Sequence, residues 1–91
     1  MTIKAKFFAH FRDLFGGREK EVDLGRGRTV RDALELLCDT PARKTEVFEG
    51  GGLKPHLVVM VNGVHINSRQ GLDTALAEGD TLAVFPFLVG G

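Results

Sequence analysis

The stretch Thr29-Val30-Arg31-Asp32-Ala33-Leu34-Glu35-Leu36-Leu37-Cys38 predicts the main helix of this 91-residue chain. Apolar side chains recur along it at helical spacing and form one stripe: Val30, Ala33, Leu34, Leu37 and Cys38. Thr29 can cap the helix, with Asp32 three residues on as a relative of the capping box. Pro41 favours an end near Thr40. A helix with a single apolar face must pack against a second amphipathic layer.

Two strands precede this helix. Apolar and polar side chains alternate over residues 3–7, which predicts a strand with one buried face, although Phe8 breaks the polar side of the pattern. Residues 11–15 have near-helical spacing, and we expect a short turn at most. Residues 19–24 form the second predicted strand. Because the connection is too short for a parallel crossover, we expect the two strands to pair antiparallel.

Three strands follow the helix. Residues 41–56 contain two prolines and three consecutive glycines, so we interpret them as a loop with at most one short turn, around Glu46-Val47-Phe48. The β-prone run 57–61 is followed by Asn62-Gly63, a two-residue hairpin signal, and by a return strand at 64–67. A last strand is predicted at 81–85. The predicted order of elements is therefore β-β-α-β-β-β, an α+β chain with one helix covering one face of a mixed sheet.

The charge balance and cysteine content exclude several classes of protein. Lys plus Arg and Asp plus Glu both total 12, whereas a nucleic-acid binder usually has a basic excess. No apolar run approaches the roughly 20 residues that span a bilayer, and the first residues lack the apolar core of a signal peptide. The single cysteine, Cys38, fits a reducing compartment. We therefore expect a cytoplasmic protein that binds neither nucleic acid nor membranes.

Three segments resemble one family. The opening Phe7-Phe8-Ala9-His10-Phe11-Arg12-Asp13-Leu14 is similar to that of the small subunit of molybdopterin synthase. The second segment is discontinuous and comprises Val61-Asn62-Gly63, Gly71-Leu72-Asp73-Thr74 and Glu78-Gly79-Asp80. The third is the end, Phe85-Pro86-Phe87-Leu88-Val89-Gly90-Gly91. The chain thus resembles the MoaD/ThiS sulfur carriers, although Phe87 stands where that family usually has a second proline, and Leu88 and Val89 are bulkier than usual.

This resemblance implies a β-grasp (ubiquitin-like) fold, with a mixed five-stranded sheet and one main helix packed on one face. Residues 1–91 would form a single domain with a flexible Gly-Gly tail at about 87–91. The terminal carboxylate of Gly91 would be adenylated and converted to a thiocarboxylate. Gly90, Val89, Leu88 and Phe87 would thread into the active site of a partner.

The resemblance also implies the partners. An E1-like adenylyltransferase of the MoeB/ThiF type would use ATP, and a sulfur donor protein would supply sulfur. The large subunit of molybdopterin synthase (MoaE type) would accept it within a hetero-oligomer. The chain would be non-catalytic by itself and would hold no cofactor stably. Sulfur carriage for cysteine or thiamine synthesis remains open, as does protein modification through an amide between Gly91 and a lysine.

Phe8 and Phe85 point outward by strand parity, and the β-grasp fold would make their strands neighbours. We interpret them as an exposed apolar patch for docking a partner, extended by Pro86, Met60 and Val58. The alternative is a parity error of one residue, or a local bend that buries both rings.

Other candidate sites have simpler explanations. Cys38 could be a redox or sulfur-accepting thiol, but its place on the apolar stripe favours a core residue. His10, His56 and His65 lack metal-ligand spacing, so we expect no metal site. Gly25-Arg26-Gly27-Arg28 before the helix could bind an anion, yet a turn with solvated arginines is the preferred interpretation.

Overall fold

The computed structural model describes residues 1–86 and contains the predicted mixed five-stranded sheet. Its strands, with two short ones outside the sheet, are β1 (Thr2–Phe7), β2 (Glu19–Asp23), β3 (Phe48–Glu49), β4 (Gly52–Leu53), β5 (Leu57–Val61), β6 (Val64–His65) and β7 (Thr81–Pro86). The sheet order is β2-β1-β7-β5-β6. This is the expected β-grasp arrangement. The predicted flexible tail at 87–91 lies outside the described residues.

The first and last strands of the sheet are central neighbours. β1 pairs in parallel with β7, with Phe7 opposite Val84, and antiparallel with β2, as predicted. β5 pairs antiparallel with both β7 and β6. Because side chains alternate across a strand, one face of the sheet carries the fully buried Ile3, Ala5 and Phe7. The opposite face of the sheet does not carry these core residues and can contact other molecules.

Helix α2 (Val30–Leu37) covers the buried face. A capping box starts it: Asp32 N donates to Thr29 Oγ1 at 3.3 Å, and Thr29 N donates to Asp32 Oδ2 at 3.1 Å. The backbone amides of Arg28 and Thr29, which bind this carboxylate, hold the pKa of Asp32 below its usual value. The predicted stripe is buried along its whole length. The helix ends at Leu37, earlier than predicted, where Cys38 N still donates to the Leu34 carbonyl oxygen.

The interpretation of residues 41–56 as a loop is wrong. Helix α3 (Pro41–Val47) begins directly after Thr40, whose Oγ1 accepts a hydrogen bond from Arg43 N at 3.2 Å. Proline is favoured at the first helical position because that amide has no intrahelical partner. Pro41 therefore starts a helix as well as following one. Arg43 Nε donates to the Leu14 carbonyl oxygen at 3.0 Å, which ties α3 to the rest of the chain.

Two further elements differ from expectation. Where a short turn was expected, the structure has the five-residue helix α1 (Phe11–Phe15). Gly16, at a φ of +82°, caps its C-terminal end. Phe15 stacks on Phe7 with ring centroids 4.5 Å apart, which explains why this short helix is held. The return strand β6 is shorter than predicted because a 3-10 turn follows at Ile66–Ser68. None of the helices within residues 1–86 has the length and apolar character needed to cross a membrane.

Asn62 and Asp80, which belong to the second segment that resembles the family, have a structural role. Asn62 Nδ2 donates to Asp80 Oδ1 at 2.9 Å, and Thr81 N donates to Asn62 Oδ1 at 2.9 Å. Ala77 N donates to the other carboxylate oxygen of Asp80 at 2.8 Å. These bonds join the end of β5 to the start of β7. They fix the register of the strand that leads to the C-terminal tail.

Candidate functional site

The candidate site lies on the face of the sheet that α2 does not cover. Strand pairing places Val58 opposite Phe85 and Met60 opposite Ala83 on this face. Phe8 follows directly after the last paired residue of β1. The predicted neighbourhood of Phe8 and Phe85 is confirmed, since their rings meet edge to face with centroids 5.4 Å apart. The alternative of a parity error is therefore excluded for this pair.

Phe8 and Phe85 form the centre of a shallow apolar depression. Its volume is about 260 Å³, and its lining residues, called here the aromatic platform, are Phe8, Ala9, Phe85 and Pro86. Phe8 is 38% exposed although it is a large apolar side chain. Edge-to-face aromatic pairs typically stabilise by about 0.5–1.5 kcal/mol beyond their buried area. The platform is thus a small, preformed apolar surface that is open to contact with another protein.

The backbone at Ala9 sets the direction of the platform. Ala9 has a φ of +54°, in the left-handed region that an L-residue with a Cβ occupies at a cost of about 1–2 kcal/mol. This turn sends the chain from β1 directly into α1. Phe11 N donates to the Phe8 carbonyl oxygen at 3.1 Å and holds the turn closed. Strain of this kind often accumulates at functional positions. Alanine is not a residue type that indicates a positive φ, so the sequence did not predict this conformation.

Arg12 supports the platform from one side. Its Nε donates to the Phe7 carbonyl oxygen at 3.0 Å, where β1 ends. Its Cζ lies 5.6 Å from the centroid of the Phe8 ring, within the range of a cation–π contact. Arg12 belongs to a motif that resembles the family, but the sequence alone predicts no role for it.

The predicted extension of the platform across β5 fails at one of its two residues. Met60 is half-buried, as Phe85 and Pro86 are, and its place at a partner interface stays a prediction. Val58 is 8% exposed although it shares the outer face. The prediction of an exposed Val58 is therefore wrong. Directly paired residues have Cβ atoms about 4.5–5.5 Å apart, so the small valine is shielded between Phe85 across the ladder and Met60 two residues along.

A charged notch of about 190 Å³ adjoins the platform at Pro86, with His10, Glu46, Lys54 and His56 among its lining residues. Glu46 Oε2 lies 3.8 Å from both His10 Nε2 and Lys54 Nζ. Sequence reasoning missed this grouping, because its members come from three distant segments and Glu46 belongs to the unrecognised helix α3. Its charges lie beside the point where β7 ends.

The structure favours the simpler interpretations of Cys38 and of the glycine-arginine turn. Cys38 is fully buried, and burial raises the pKa of its thiol to about 11. It is therefore a protonated core residue at neutral pH. The Asp32 carboxylate accepts hydrogen bonds from the amides of Arg28 and Thr29, so these two donors are already used within the chain. Among residues 1–86, no three His, Cys, Asp or Glu side chains gather around a metal position.

The terminal residues named from the sequence lie outside the described part of the chain: Phe87, Leu88, Val89, Gly90 and Gly91. The structure does describe Pro86, the last residue of β7, and places it in the wall of the platform. The platform and the origin of the tail are therefore adjacent.

Comparison with known proteins identifies relatives over the whole chain. The ThiS family model matches residues 5–91. Small archaeal modifier protein 3 of Haloferax volcanii is 34% identical over 92 residues, which cover 100% of both chains.

Solved structures agree with the fold. The small archaeal modifier protein 1 of Methanosarcina acetivorans superimposes with a TM-score of 0.86 at 32% identity, covering 99% of this chain and 96% of that one. A Pyrococcus furiosus protein, described as a candidate molybdopterin converting factor subunit 1, gives a TM-score of 0.76 at 32% identity. That alignment covers 97% of this chain and 99% of the other.

Proposed function

The chain belongs to the ThiS family of ubiquitin-like small proteins, and on this premise we propose that it carries sulfur as a thiocarboxylate on Gly91. The observation that carries the proposal is the extent of the family match, which continues to residue 91. The platform supports it, because a carrier needs a surface that docks on its enzymes next to the origin of its reactive tail. Gly90 and Gly91 present no side chain, so enzyme groups can approach their backbone closely.

The proposed chemistry occurs at one carboxylate. In the active site of an E1-like adenylyltransferase of the MoeB/ThiF type, the Gly91 carboxylate attacks the α-phosphate of ATP. The products are an acyl adenylate and pyrophosphate. Sulfide sulfur from a donor protein then replaces AMP, so that a carbon–sulfur bond replaces the carbon–oxygen bond to phosphate. Apart from the Gly91 carboxylate itself, the proposed chemistry needs no nucleophile from the carrier, which is consistent with the buried, protonated thiol of Cys38.

The proposed destination of the sulfur is molybdopterin, for a molybdenum or tungsten cofactor. Two observations favour it: the Phe8-Ala9-x-x-Arg12-x-Leu14 motif, of which Phe8 and Ala9 line the platform and Arg12 contacts Phe8, and the similarity to the Pyrococcus furiosus protein. The acceptor would be a large subunit of the MoaE type, in a hetero-oligomer with this chain. Carriers for cysteine or thiamine synthesis would use the same chemistry with another acceptor.

Protein modification is a second candidate, favoured by the similarity to small archaeal modifier protein 3. The same acyl adenylate would then be passed to a target lysine. The two functions share the activation step and diverge only at the group that attacks the activated carbonyl carbon.

One experiment tests the proposal. The chain is incubated with ATP, the E1-like enzyme of its native cell and a sulfur donor, and intact-protein mass spectrometry follows. We expect replacement of one oxygen by one sulfur, located on the C-terminal peptide after proteolysis. Lysine conjugates without any thiocarboxylate would favour modification, and an unchanged mass would contradict both functions.

The aromatic platform gives a second prediction. Phe85→Ala should weaken binding to the activating enzyme by about tenfold or more, since truncating an interface anchor commonly costs over 1–2 kcal/mol. Isothermal titration of the variant against the unaltered chain measures this. Val64→Ala is the matched control, because Val64 is also an exposed apolar side chain, 45% accessible, but lies on β6. Equal affinities for the Phe85 variant and the control would show that the platform is not the docking surface.

A further inference from the structure

The charges on the outer face of the sheet are compensated along its β2 edge. Lys4 Nζ lies 3.8 Å from Glu19 Oε2, and strand pairing places Lys6 opposite Glu19 and Lys4 opposite Glu21. Lys4 and Glu19 form an ion pair, and each of the two lysines has an acidic residue opposite it on the neighbouring strand. This edge therefore offers a docking partner little net charge.

Arg12, at the platform, differs from these lysines. Among residues 1–86 it forms no ion pair, and its one side-chain hydrogen bond uses Nε alone. A guanidinium has five N–H donors in a planar fork, so the four on Nη1 and Nη2 have no partner in the part of the chain that the structure describes. The side chain is half-buried and in contact with Phe8, which limits its freedom.

The orientation of this fork is fixed by two independent contacts. The Nε bond to the Phe7 carbonyl oxygen, 3.0 Å long, fixes one edge of the guanidinium. The Phe8 ring, 5.6 Å from Cζ, packs against the group. A planar cation held in one orientation loses less entropy on binding than a mobile one. Its free edge suits a carboxylate, which a guanidinium binds through two parallel hydrogen bonds.

We propose that Arg12 is a specificity-determining residue of the aromatic platform, which receives a carboxylate side chain of the E1-like activating enzyme while it positions Phe8. This inference rests on the proposed function, since it assigns the chemistry of the partner at the same docking surface. The partner surface that fits is an apolar area over Phe8 and Phe85 with an Asp or Glu at its Arg12 side. Removing the guanidinium would leave that carboxylate desolvated and unpaired, which penalises binding more than the loss of a neutral contact.

The test compares Arg12→Met and Arg12→Lys with the unaltered chain, in titrations against the activating enzyme at several salt concentrations. Methionine keeps a flexible apolar stem and a sulfur against the Phe8 ring, so the platform should persist. We expect Arg12→Met to raise the dissociation constant by about tenfold to a hundredfold and to reduce its salt dependence. Arg12→Lys should restore part of the salt dependence but less of the affinity, because lysine cannot make the bidentate contact.

Controls separate this role from a structural one. Arg69→Met removes the same charge at a position beside Thr74 and Ala75, away from the platform, and should leave binding unchanged. Proton chemical shifts of the Phe8 and Phe85 rings report whether the platform persists in each variant. Weaker binding of Arg12→Met with shifted ring signals and an unchanged salt dependence would overturn the inference, as would unchanged affinity. If the unaltered chain itself failed to bind the enzyme, the proposed function would fall, and this inference with it.

Discussion

Deletion of Gly91 is expected to abolish thiocarboxylate formation while leaving docking on the activating enzyme intact. One residue of fully extended chain spans about 3.5 Å at most, so the deletion can shorten the reach of the tail by that length, and reacting atoms must come within about 3–3.5 Å of each other. The carboxylate, now on Gly90, would stop short of the α-phosphate. Docking should persist, because the platform residues Phe8 and Phe85 are unchanged. Pyrophosphate release and intact mass measure the reaction, and titration measures the docking.

Addition of one alanine after Gly91 is the matched control. This variant has a tail one residue longer than that of the unaltered chain. It places a different atom at the phosphate, so it should also fail to react. The two variants together distinguish a requirement for reach from a requirement for position. Equal thiocarboxylation of the deletion variant and the unaltered chain would contradict Gly91 as the reactive residue, as would sulfur on Cys38.

Leu34→Ala is expected to lower the free energy of unfolding by about 2–5 kcal/mol, the usual range for a core leucine. Leu34 lies on α2 against the sheet and is 1% exposed, so the truncation leaves a cavity that a closely packed core closes only in part. For a domain of this size such a loss is a large part of the total stability. Urea denaturation followed by circular dichroism measures it, with an unchanged slope against urea concentration as the sign of two-state behaviour.

Leu36→Ala provides the comparison on the same helix. Leu36 is 50% exposed, so the same change in composition should alter stability by no more than about 0.5 kcal/mol. Both variants change helix propensity equally. The difference between their free energies of unfolding therefore reports the effect of burial. Similar losses for both leucines would mean that the apolar stripe had been assigned to the wrong face.

The sheet, α2 and the central pair of the platform could be predicted because each rests on a repeating signal. The apolar stripe repeats over the nine residues from Val30 to Cys38, and the alternation in β1 places Phe8 on the outer face. The resemblance then made β1 and β7 neighbours, which brought Phe8 to Phe85. Each step used several residues that agree, so one irregular position did not change the result.

Other features depend on single residues or on distant contacts. Helix α3 has one fully buried side chain, Val47, so no apolar periodicity was visible and only Thr40 and Pro41 marked its start. The positive φ of Ala9 occurs at a residue type that rarely adopts it. The charged notch joins residues from α1, α3 and the approach to β5, a grouping that only the tertiary structure creates.

The parallel pairing of β1 with β7 has a mechanical consequence. The start of β1 and the end of β7 lie at opposite ends of this pair, so tension between the two termini would slide the strands along each other. The hydrogen bonds from Lys4–Thr81 to Phe7–Val84 would then share the load and would have to break together. If the start of β1 were held, a pull on the end of β7 would load all of these hydrogen bonds at once. Such a pair would resist the pull better than one whose bonds broke one after another.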